Sequence, residues 1–271
     1  MASPQRFSGV LAPVITPFLD DLSPDAERLA AHCRWLLSQE VGLAIFGTNS
    51  EANSLAVEEK IALLDRLIDA GIDASRMMPG TGCCALTDTV KLTRHALRAG
   101  CGGVLMLPPF YYKDVSDEGL FRSFAEVIER VGSDDLRIYL YHIPPVAQVG
   151  ISADLAERLH SAFPKVVAGI KDSSGDWNNT RRLLERELDD FRVFSGSEGF
   201  LLRNLQAGGA GCISATANVN PGAIQRLFRN WSTANAGALQ QDLDEVRRVL
   251  QMPAMIPALK AVVAHFANDP Q

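Results

Sequence analysis

The stretch VVAGIKDSSGDWNNTRRLLEREL, residues 166–188, contains one complete strand, loop and helix in chain order. Its first five residues form a continuous apolar run, which is typical of a strand covered on both faces of a parallel sheet. A polar loop follows, and apolar residues then recur with helical spacing from about residue 178. The stretch therefore predicts a βα unit, the repeating element of α/β folds.

The same order of elements recurs along the chain. Short apolar runs predict eight strands, at residues 10–15, 43–46, 77–80, 103–107, 136–142, 166–170, 192–194 and 211–214. Each run is followed by residues with a helical period, at about 25–39, 57–70, 87–99, 117–131, 152–162, 178–188, 198–207 and 220–230. Strands that alternate with helices in this way indicate a parallel sheet built from βαβ units.

Eight units within about 230 residues predict an α/β fold of the (β/α)8 TIM-barrel class. The alternative is an open, doubly wound sheet, which usually carries a GxGxxG loop after its first strand. Here the first predicted strand ends in Thr16-Pro17-Phe18, and the sequence GTGCCA at residues 80–85 lacks the third glycine. These loops favour the closed barrel.

The chain is expected to form one domain, because no linker or low-complexity segment divides it. We expect the barrel to occupy residues 1–232 and a short C-terminal helical appendage of the same domain to occupy residues 233–271. Within the appendage, the helical patterns at residues 235–250 and 254–266 are expected to be split at Pro253 and Pro257.

The charge balance argues against a nucleic-acid partner. The 271 residues include 26 Lys and Arg and 32 Asp and Glu, which gives a net charge of −6 and no basic excess for binding phosphates. The arginine pairs at residues 181–182 and 247–248 lie beside acidic residues in helical patterns. We expect both pairs to form solvated helix faces.

No apolar run has the length of a signal peptide or of a membrane span of about 18 residues. We therefore expect a cytoplasmic protein with no membrane partner. An odd cysteine count fits the reduced thiols of that compartment, and the histidines show no zinc-site spacing, so no metal is expected. The five cysteines are Cys33, Cys83, Cys84, Cys101 and Cys212.

Lys171 is the candidate for chemistry because it directly follows the apolar run at residues 166–170. The predicted strand carries it to the carboxyl end of the barrel, where TIM-barrel enzymes hold their active sites. An ammonium group loses hydration there, which favours the neutral amine, and a neutral amine can attack a ketone to form a Schiff base. The alternative is a structural ion pair of Lys171 with Asp172 or Glu198 at the barrel rim.

Two further strand ends carry hydroxyl groups. Tyr141 ends the neighbouring predicted strand, and its phenol can relay the protons that Schiff-base formation needs. Thr48 lies in a Gly-Thr-Asn-Ser turn after the second predicted strand, where a hydroxyl and backbone N–H groups suit a carboxylate. The alternatives are a core tyrosine and an ordinary βα turn.

Six segments in register at the predicted strand ends resemble motifs of one enzyme family. GTNSE resembles its GTTGE turn, YHIP its YNVP or YNIP, and GIKDSSGD its G-[IV]-K-[DE]-[ST]-[ST]-G-[DN]. The family is the dihydrodipicolinate synthase and N-acetylneuraminate lyase family of pyruvate-dependent class I aldolases, and the resemblance runs from about Phe7 to at least Lys260. The segments are GTNSE at 47–51, PPFYY at 108–112, YHIP at 141–144, GIKDSSGD at 169–176, SGSE at 195–198 and GCISATANVNP at 211–221.

The resemblance implies catalytic roles at matching positions. Lys171 would form the imine with pyruvate or another 2-oxo acid, and Tyr141 would shuttle protons and contact the carboxylate. Thr48 would link Tyr141 to a second tyrosine, which matches Tyr111 and in the family usually reaches into a neighbouring subunit's site. The chain is accordingly expected to be a homodimer or homotetramer.

The resemblance also implies how the substrate is held. Thr48 and Asn49, with the adjacent backbone, would bind the carboxylate, and Ile213 would place its backbone carbonyl at the pocket. The protonated imine is an electron sink, so deprotonation at C3 gives an enamine that attacks an aldehyde, and the reverse reaction releases pyruvate. This chemistry needs no metal and no organic cofactor.

Departures from the family pattern bear on the second substrate. Dihydrodipicolinate synthases carry an arginine two residues after the YNVP proline to anchor the distal carboxylate of aspartate semialdehyde, and Val146 occupies that position. The acidic residue that the lyases use for sugar hydroxyls matches Gly199, so a sialic acid is not expected. In the turn, Asn49 and Ser50 stand where the family usually has Thr and Gly.

We therefore expect reversible aldol cleavage or condensation of a 2-oxo-3-deoxy sugar acid or a related compound. The alternatives are a 4-hydroxy-tetrahydrodipicolinate synthase, which condenses pyruvate with aspartate semialdehyde, and a non-catalytic 2-oxo-acid binding protein on an aldolase scaffold.

Overall fold

The computed structural model describes residues 6–251 and 254–267 of the chain. Strands and helices alternate, and four short 3₁₀ turns accompany them. In chain order the elements are β1 Gly9–Ala12, α1 Ala26–Ser38, β2 Gly42–Leu43, α2 Val57–Asp69, α3 Leu86–Arg98, β3 Val104–Met106, α4 Asp117–Val131, β4 Ile138–His142, α5 Pro144–Ala147, α6 Ala153–Ala162, β5 Val167–Asp172, α7 Trp177–Leu184, β6 Arg192–Ser195, α8 Leu201–Gln206, β7 Gly211–Ile213, α9 Pro221–Asn230, α10 Ala236–Leu250 and α11 Met255–Phe266.

The seven strands form one parallel sheet in the order β2-β1-β7-β6-β5-β4-β3. The segment predicted as a strand at residues 77–80 fills the gap between β2 and β3 without forming a regular strand. The Met78 N–H donates to the Leu43 carbonyl at 2.7 Å, and the Leu105 N–H donates to the Pro79 carbonyl at 2.9 Å. Because Pro79 has no N–H to donate toward β3, the ladder there is reduced to isolated bridges. The sheet thus closes, as predicted for a TIM barrel.

Side-chain caps begin helices α1 and α6. The Asp25 carboxylate accepts the Glu27 and Arg28 N–H groups, both at 3.0 Å, and begins α1. The Ser152 hydroxyl accepts the Leu155 N–H at 3.0 Å and begins α6. Each such cap contributes about 1 kcal/mol to stability.

The barrel interior is filled by buried side chains. Along β4, Tyr139 and Tyr141 face the interior, whereas Ile138 and Leu140 face the surrounding helices. Near the amino end of the strands, the Tyr139 hydroxyl accepts the Phe7 N–H at 2.7 Å. The loops that follow the strands lie at the opposite, carboxyl end, where TIM-barrel enzymes hold their active sites.

The C-terminal helices α10 and α11 pack against the barrel. Gln240 on α10 donates to the Glu198 carbonyl at 3.1 Å, and Leu259 on α11 packs against Ile15 in a small apolar cluster. The expected break at Pro257 was wrong, because Pro257 lies in the first turn of α11, where its missing N–H has no helical partner. Pro253 lies outside the described residues.

Within residues 6–251 and 254–267, no single helix is long and apolar enough to cross a membrane. Helices α10 and α11 together reach that length and hydropathy, but they are bent by 107° relative to each other.

Candidate active site

Lys171 and Tyr141 lie side by side at the carboxyl ends of β5 and β4. They are register partners in the parallel ladder, and both side chains are buried. The Lys171 Nζ lies 4.2 Å from the centroid of the Tyr141 ring, and Tyr141 belongs to the interior cluster. The amine and the phenol ring are therefore neighbours inside the mouth of the barrel.

Gly169 explains how β5 brings Lys171 to this place. A Cβ at residue 169 would lie 2.2 Å from the carbonyl oxygen of Arg192 on β6, so only glycine permits the two strands to approach this closely. Because side chains alternate along a strand, Lys171 points to the same side as Gly169, toward the interior.

Asp172, the first of the two acids considered as an ion-pair partner of Lys171, is bound elsewhere. Its carboxylate accepts the Ser174 N–H at 2.9 Å and the Thr180 hydroxyl at 2.6 Å. Asp172 follows Lys171 directly, so strand alternation points it toward the surrounding helices.

Glu198, the second of these acids, is also satisfied by other groups. It is 1% exposed, and its two carboxylate oxygens accept the hydroxyls of Ser214 and Thr216. Arg247 on α10 adds an ion pair at 2.9 Å. Among the residues that the structure describes, no carboxylate pairs with Lys171, so the structural ion pair is not formed.

Thr48 contacts Tyr141 directly, with 3.1 Å between the hydroxyl oxygens of the two side chains. The turn that carries Thr48 follows β2 and is closed by the Ser50 N–H, which donates to the Gly47 carbonyl at 3.1 Å. The Thr16 hydroxyl, from the loop after β1, donates to the Ser50 carbonyl at 2.7 Å. Two neighbouring loops thus fix the Thr48 hydroxyl against the phenol.

The two predicted substrate-binding residues lie beside this group. Asn49 follows Thr48 in the turn and is partly exposed, so its amide can reach a ligand. Ile213 ends β7, is fully buried and shares the interior cluster with Tyr141. Their binding roles stay predictions.

Tyr111 lies apart from the other predicted residues. Its side chain is 72% exposed and packs edge-on against Tyr112, with 5.2 Å between the ring centroids. It makes no hydrogen bond with Thr48 or Tyr141 within the described chain. A role for Tyr111 in catalysis therefore requires a neighbouring subunit.

The contact of Arg247 with the site was not predicted from the sequence. The expected solvated face at residues 247–248 is wrong for Arg247. Arg248 is exposed, whereas Arg247 turns toward the barrel and pairs with buried Glu198. The two partners are 49 residues apart in the chain, and the helical period alone does not specify which arginine faces inward.

Two other kinds of chemistry, a cysteine nucleophile and a metal site, are not supported by the described residues. Burial raises the pKa of the Cys212 thiol well above its ordinary value, and Glu198 acts in the same direction, so Cys212 stays a thiol and not a nucleophilic thiolate. Within the described residues, no three His, Cys, Asp or Glu side chains form a group that could hold a metal ion.

Comparisons with known proteins agree on one family. A family model described as the dihydrodipicolinate synthetase family matches residues 6–267. An uncharacterized DapA-like lyase of Chloroflexus aurantiacus is 33% identical over 274 residues, which cover 100% of this chain and 90% of that protein.

Two crystal structures superpose on the chain with equal TM-scores. The dihydrodipicolinate synthase of Agrobacterium tumefaciens superposes with a TM-score of 0.88 at 36% identity, covering 97% of this chain and 89% of that chain. YagE, a prophage protein of the dihydrodipicolinic acid synthase family from E. coli K12 in complex with pyruvate, superposes with a TM-score of 0.88 at 27% identity, covering 95% and 88%.

Proposed function

The chain belongs to the dihydrodipicolinate synthetase family, and we propose that it is a class I, Schiff-base-forming carbon–carbon lyase that uses Lys171 to bind pyruvate or another 2-oxo acid. The observation that carries this proposal is the contact of a buried lysine, without a carboxylate partner among the described residues, with Tyr141. Thr48, hydrogen-bonded to the phenol, completes the group.

The geometry supports a defined sequence of steps. The neutral Lys171 amine adds to the ketone carbon, and loss of water gives a protonated imine. Tyr141, with Thr48 as its hydrogen-bonding partner, carries the protons that addition and dehydration move. Loss of a C3 proton then gives an enamine, which forms a carbon–carbon bond with an aldehyde. Hydrolysis of the product imine regenerates the amine, and the reverse sequence cleaves the bond and releases pyruvate.

In this proposal the carboxylate of the 2-oxo acid binds at the turn of residues 47–51. There the Thr48 hydroxyl, the Asn49 amide and the adjacent backbone N–H groups can donate hydrogen bonds to it. The backbone carbonyl of Ile213, at the end of β7, would complete the pocket in this proposal.

The second substrate of this proposal is an aldehyde. Condensation of the aldehyde with the 2-oxo acid would form a 2-oxo-3-deoxy sugar acid or a related compound, and cleavage of that compound would release the aldehyde. Val146 is 61% exposed on α5 and offers no charge to a distal carboxylate. A 4-hydroxy-tetrahydrodipicolinate synthase remains the second candidate, because the Agrobacterium structure, 36% identical, bears the related name.

The protein is further proposed to act as a homodimer or homotetramer in the cytoplasm. The exposed Tyr111 and Tyr112 form an aromatic pair that a second copy of the chain would cover, and this contact would bring Tyr111 to the partner's Thr48. Analytical ultracentrifugation of the wild type and of Tyr111→Ala measures this directly.

Trapping with borohydride tests the imine. Incubation with pyruvate and sodium borohydride should add one reduced pyruvyl group, and peptide mapping should place it on Lys171. Lys171→Met should gain nothing, whereas Lys60→Met, which removes another buried lysine, should be labelled like the wild type. An unlabelled Lys171 after treatment with several 2-oxo acids would overturn the proposal.

A substrate screen separates the remaining candidates. Pyruvate release from 2-oxo-3-deoxy sugar acids, followed by coupled reduction, is expected for the lyase. A coupled assay with aspartate semialdehyde should show little activity, because position 146 carries valine. Labelling of Lys171 without turnover of any compound in either assay would favour the binding protein instead.

A further inference from the structure

His142 holds the segment that follows β4. It comes directly after Tyr141, and strand alternation places its side chain on the outer face of β4. There its Nδ1 accepts the backbone N–H of Ile151 at 2.8 Å in a buried position. This single bond closes the chain from residue 143 to residue 151 into a loop whose two ends meet at the imidazole.

That loop contributes to the mouth of the barrel. Ile143 and Ala147, both buried, belong to the same interior cluster as Tyr141, and Phe110 packs against that cluster. Val146, the position discussed for recognition of the second substrate, lies on α5 within the loop. A displacement of the loop would therefore move the walls beside Tyr141.

The loop fits closely against the imidazole. A Cβ at Gly150 would lie 3.3 Å from the His142 Cε1, which is tighter than ordinary van der Waals contact, so glycine lets the chain pass beside the ring. A second attachment comes from Lys113, whose Nζ donates to the Ala147 carbonyl at 2.8 Å. At the Ile151 end, the ring fixes the backbone N–H, while the side chains of Val149 and Ile151 are buried in the main apolar cluster.

We propose that His142 is a positioning residue, and that its neutral ring holds the 143–151 loop in the place required for binding the second substrate. This inference rests on the proposed lyase function for its consequence in catalysis, although the attachment of the loop can be measured without it. The Nδ1 accepts a hydrogen bond only when it carries no proton, so the proton of the neutral ring is on Nε2.

Protonation of the ring breaks the attachment, because an imidazolium has no free nitrogen lone pair to accept the Ile151 N–H. The titratable group that faces the ring is Asp172 on β5, 4.0 Å from Nε2, while Lys171 and Tyr141 lie on the other face of the strands. Burial lowers the pKa of His142 below its ordinary 6.5, and Asp172 acts in the opposite direction. The loop should consequently loosen only in acid.

Two variants separate the hydrogen bond between Ile151 and residue 142 from the protonation of the His142 ring. In His142→Asn the side-chain oxygen can take the place of Nδ1 as acceptor and does not titrate near neutral pH. In His142→Leu the acceptor is lost and the buried Ile151 N–H is left without a partner. Circular dichroism and thermal unfolding verify that both variants are folded.

Hydrogen exchange read by mass spectrometry tests the attachment. At pH 8, peptides covering residues 143–151 should exchange about tenfold faster in His142→Leu than in the wild type, and within about twofold of it in His142→Asn. As the pH is then lowered stepwise below 6.5, after correction for the intrinsic pH effect, the wild type should loosen and His142→Asn should not. Equal protection in all three proteins at every pH at which they stay folded would overturn the proposal.

Kinetics test the consequence for catalysis, with 2-keto-3-deoxygluconate as the probe. His142→Leu should raise KM about tenfold with a smaller change in kcat, and it should be trapped by pyruvate and borohydride at the wild-type rate. His142→Asn should keep the KM and lose the acid limb of kcat/KM. Failure of the wild type to be trapped would refute the lyase function, whereas normal trapping with unchanged loop protection in His142→Leu would refute only the role of His142.

Discussion

Replacing Arg247 by Met should destabilise the protein, whereas the same change at Arg248 should not. Arg247 is the charged partner of a buried carboxylate, since its Nη1 lies 2.9 Å from a Glu198 oxygen. Arg248 is its exposed neighbour on α10, of the same residue type and one position away. The pair of variants thus isolates the ion pair from any effect of helix propensity.

The structure gives the magnitude. Removal of one partner from a buried ion pair costs about 3–5 kcal/mol, because a charge stays buried without compensation. Here the hydroxyls of Ser214 and Thr216 still donate to Glu198, and the Arg247 side chain is 20% exposed. We therefore expect a loss of about 2–3 kcal/mol in the free energy of unfolding for Arg247→Met and less than about 0.5 kcal/mol for Arg248→Met.

Thermal unfolding measures this difference, and the expected loss lowers the midpoint by about 5–10 °C. In a Glu198→Gln background the buried charge is absent, so Arg247→Met should cost about 1 kcal/mol or less. Equal midpoints for Arg247→Met and Arg248→Met, or an Arg247→Met cost that does not depend on Glu198, would refute the reasoning. Because Ser214 follows Ile213 directly, Arg247→Met should also lower kcat for the proposed reaction.

Two further predictions concern the site and its surroundings. Tyr141→Phe should lower kcat by about 10²–10³ by removing the proton relay, and Thr48→Val by about tenfold, as measured by pyruvate release. Burial lowers the pKa of both His32 and His142 below 6.5, so the stabilisation from their neutral forms is complete above pH 6.5 and is lost as the pH falls through the lowered values. Urea unfolding between pH 5 and 8 should show stability decreasing toward acid, with a smaller decrease in His142→Asn.

Local patterns of the sequence account for the barrel. Apolar runs and helical periods depend on neighbouring residues, so they locate β5, α7 and the other elements to within a few residues. The exception is the strand predicted at residues 77–80, which is not regular. The nitrogen of Pro79 lies on the side of β3 and has no N–H to donate to it, which the sequence alone does not show. The break between α10 and α11 is also decided by where a proline lies. A helix tolerates proline in its first turn, so α11 begins at Met255 and the break precedes Pro257.

The centre of the site was also predictable, because strand ends of a barrel converge at one mouth. Lys171, Tyr141 and Thr48 each follow a recognisable strand, and the structure brings them into contact. The contacts that support them were not predictable. The bonds of Arg247 to Glu198 and of Ile151 to His142 join residues that no sequence period relates.

The distribution of acidic residues around the mouth leads to a final prediction about Lys171 itself. Asp172 and Glu198 are satisfied by hydroxyls, a backbone N–H and Arg247, so the described chain gives the buried Lys171 no carboxylate partner, and the Tyr141 ring lies beside its amine. Burial of a polar amine without a hydrogen-bond or ion-pair partner is unfavourable, and an apolar residue of similar volume removes that cost.

Lys171→Met should therefore abolish trapping by borohydride and at the same time raise the free energy of unfolding by about 1–2 kcal/mol, because active-site groups are often retained at the expense of stability. Lys60→Met is the matched control. Lys60 is also buried, but its Nζ donates to the Ala52 carbonyl at 3.3 Å, so its removal leaves an acceptor without a donor and should not stabilise the protein. A Lys171→Met protein that is less stable than the wild type would mean that the amine contributes to the fold, and the argument that it is kept for chemistry would fail.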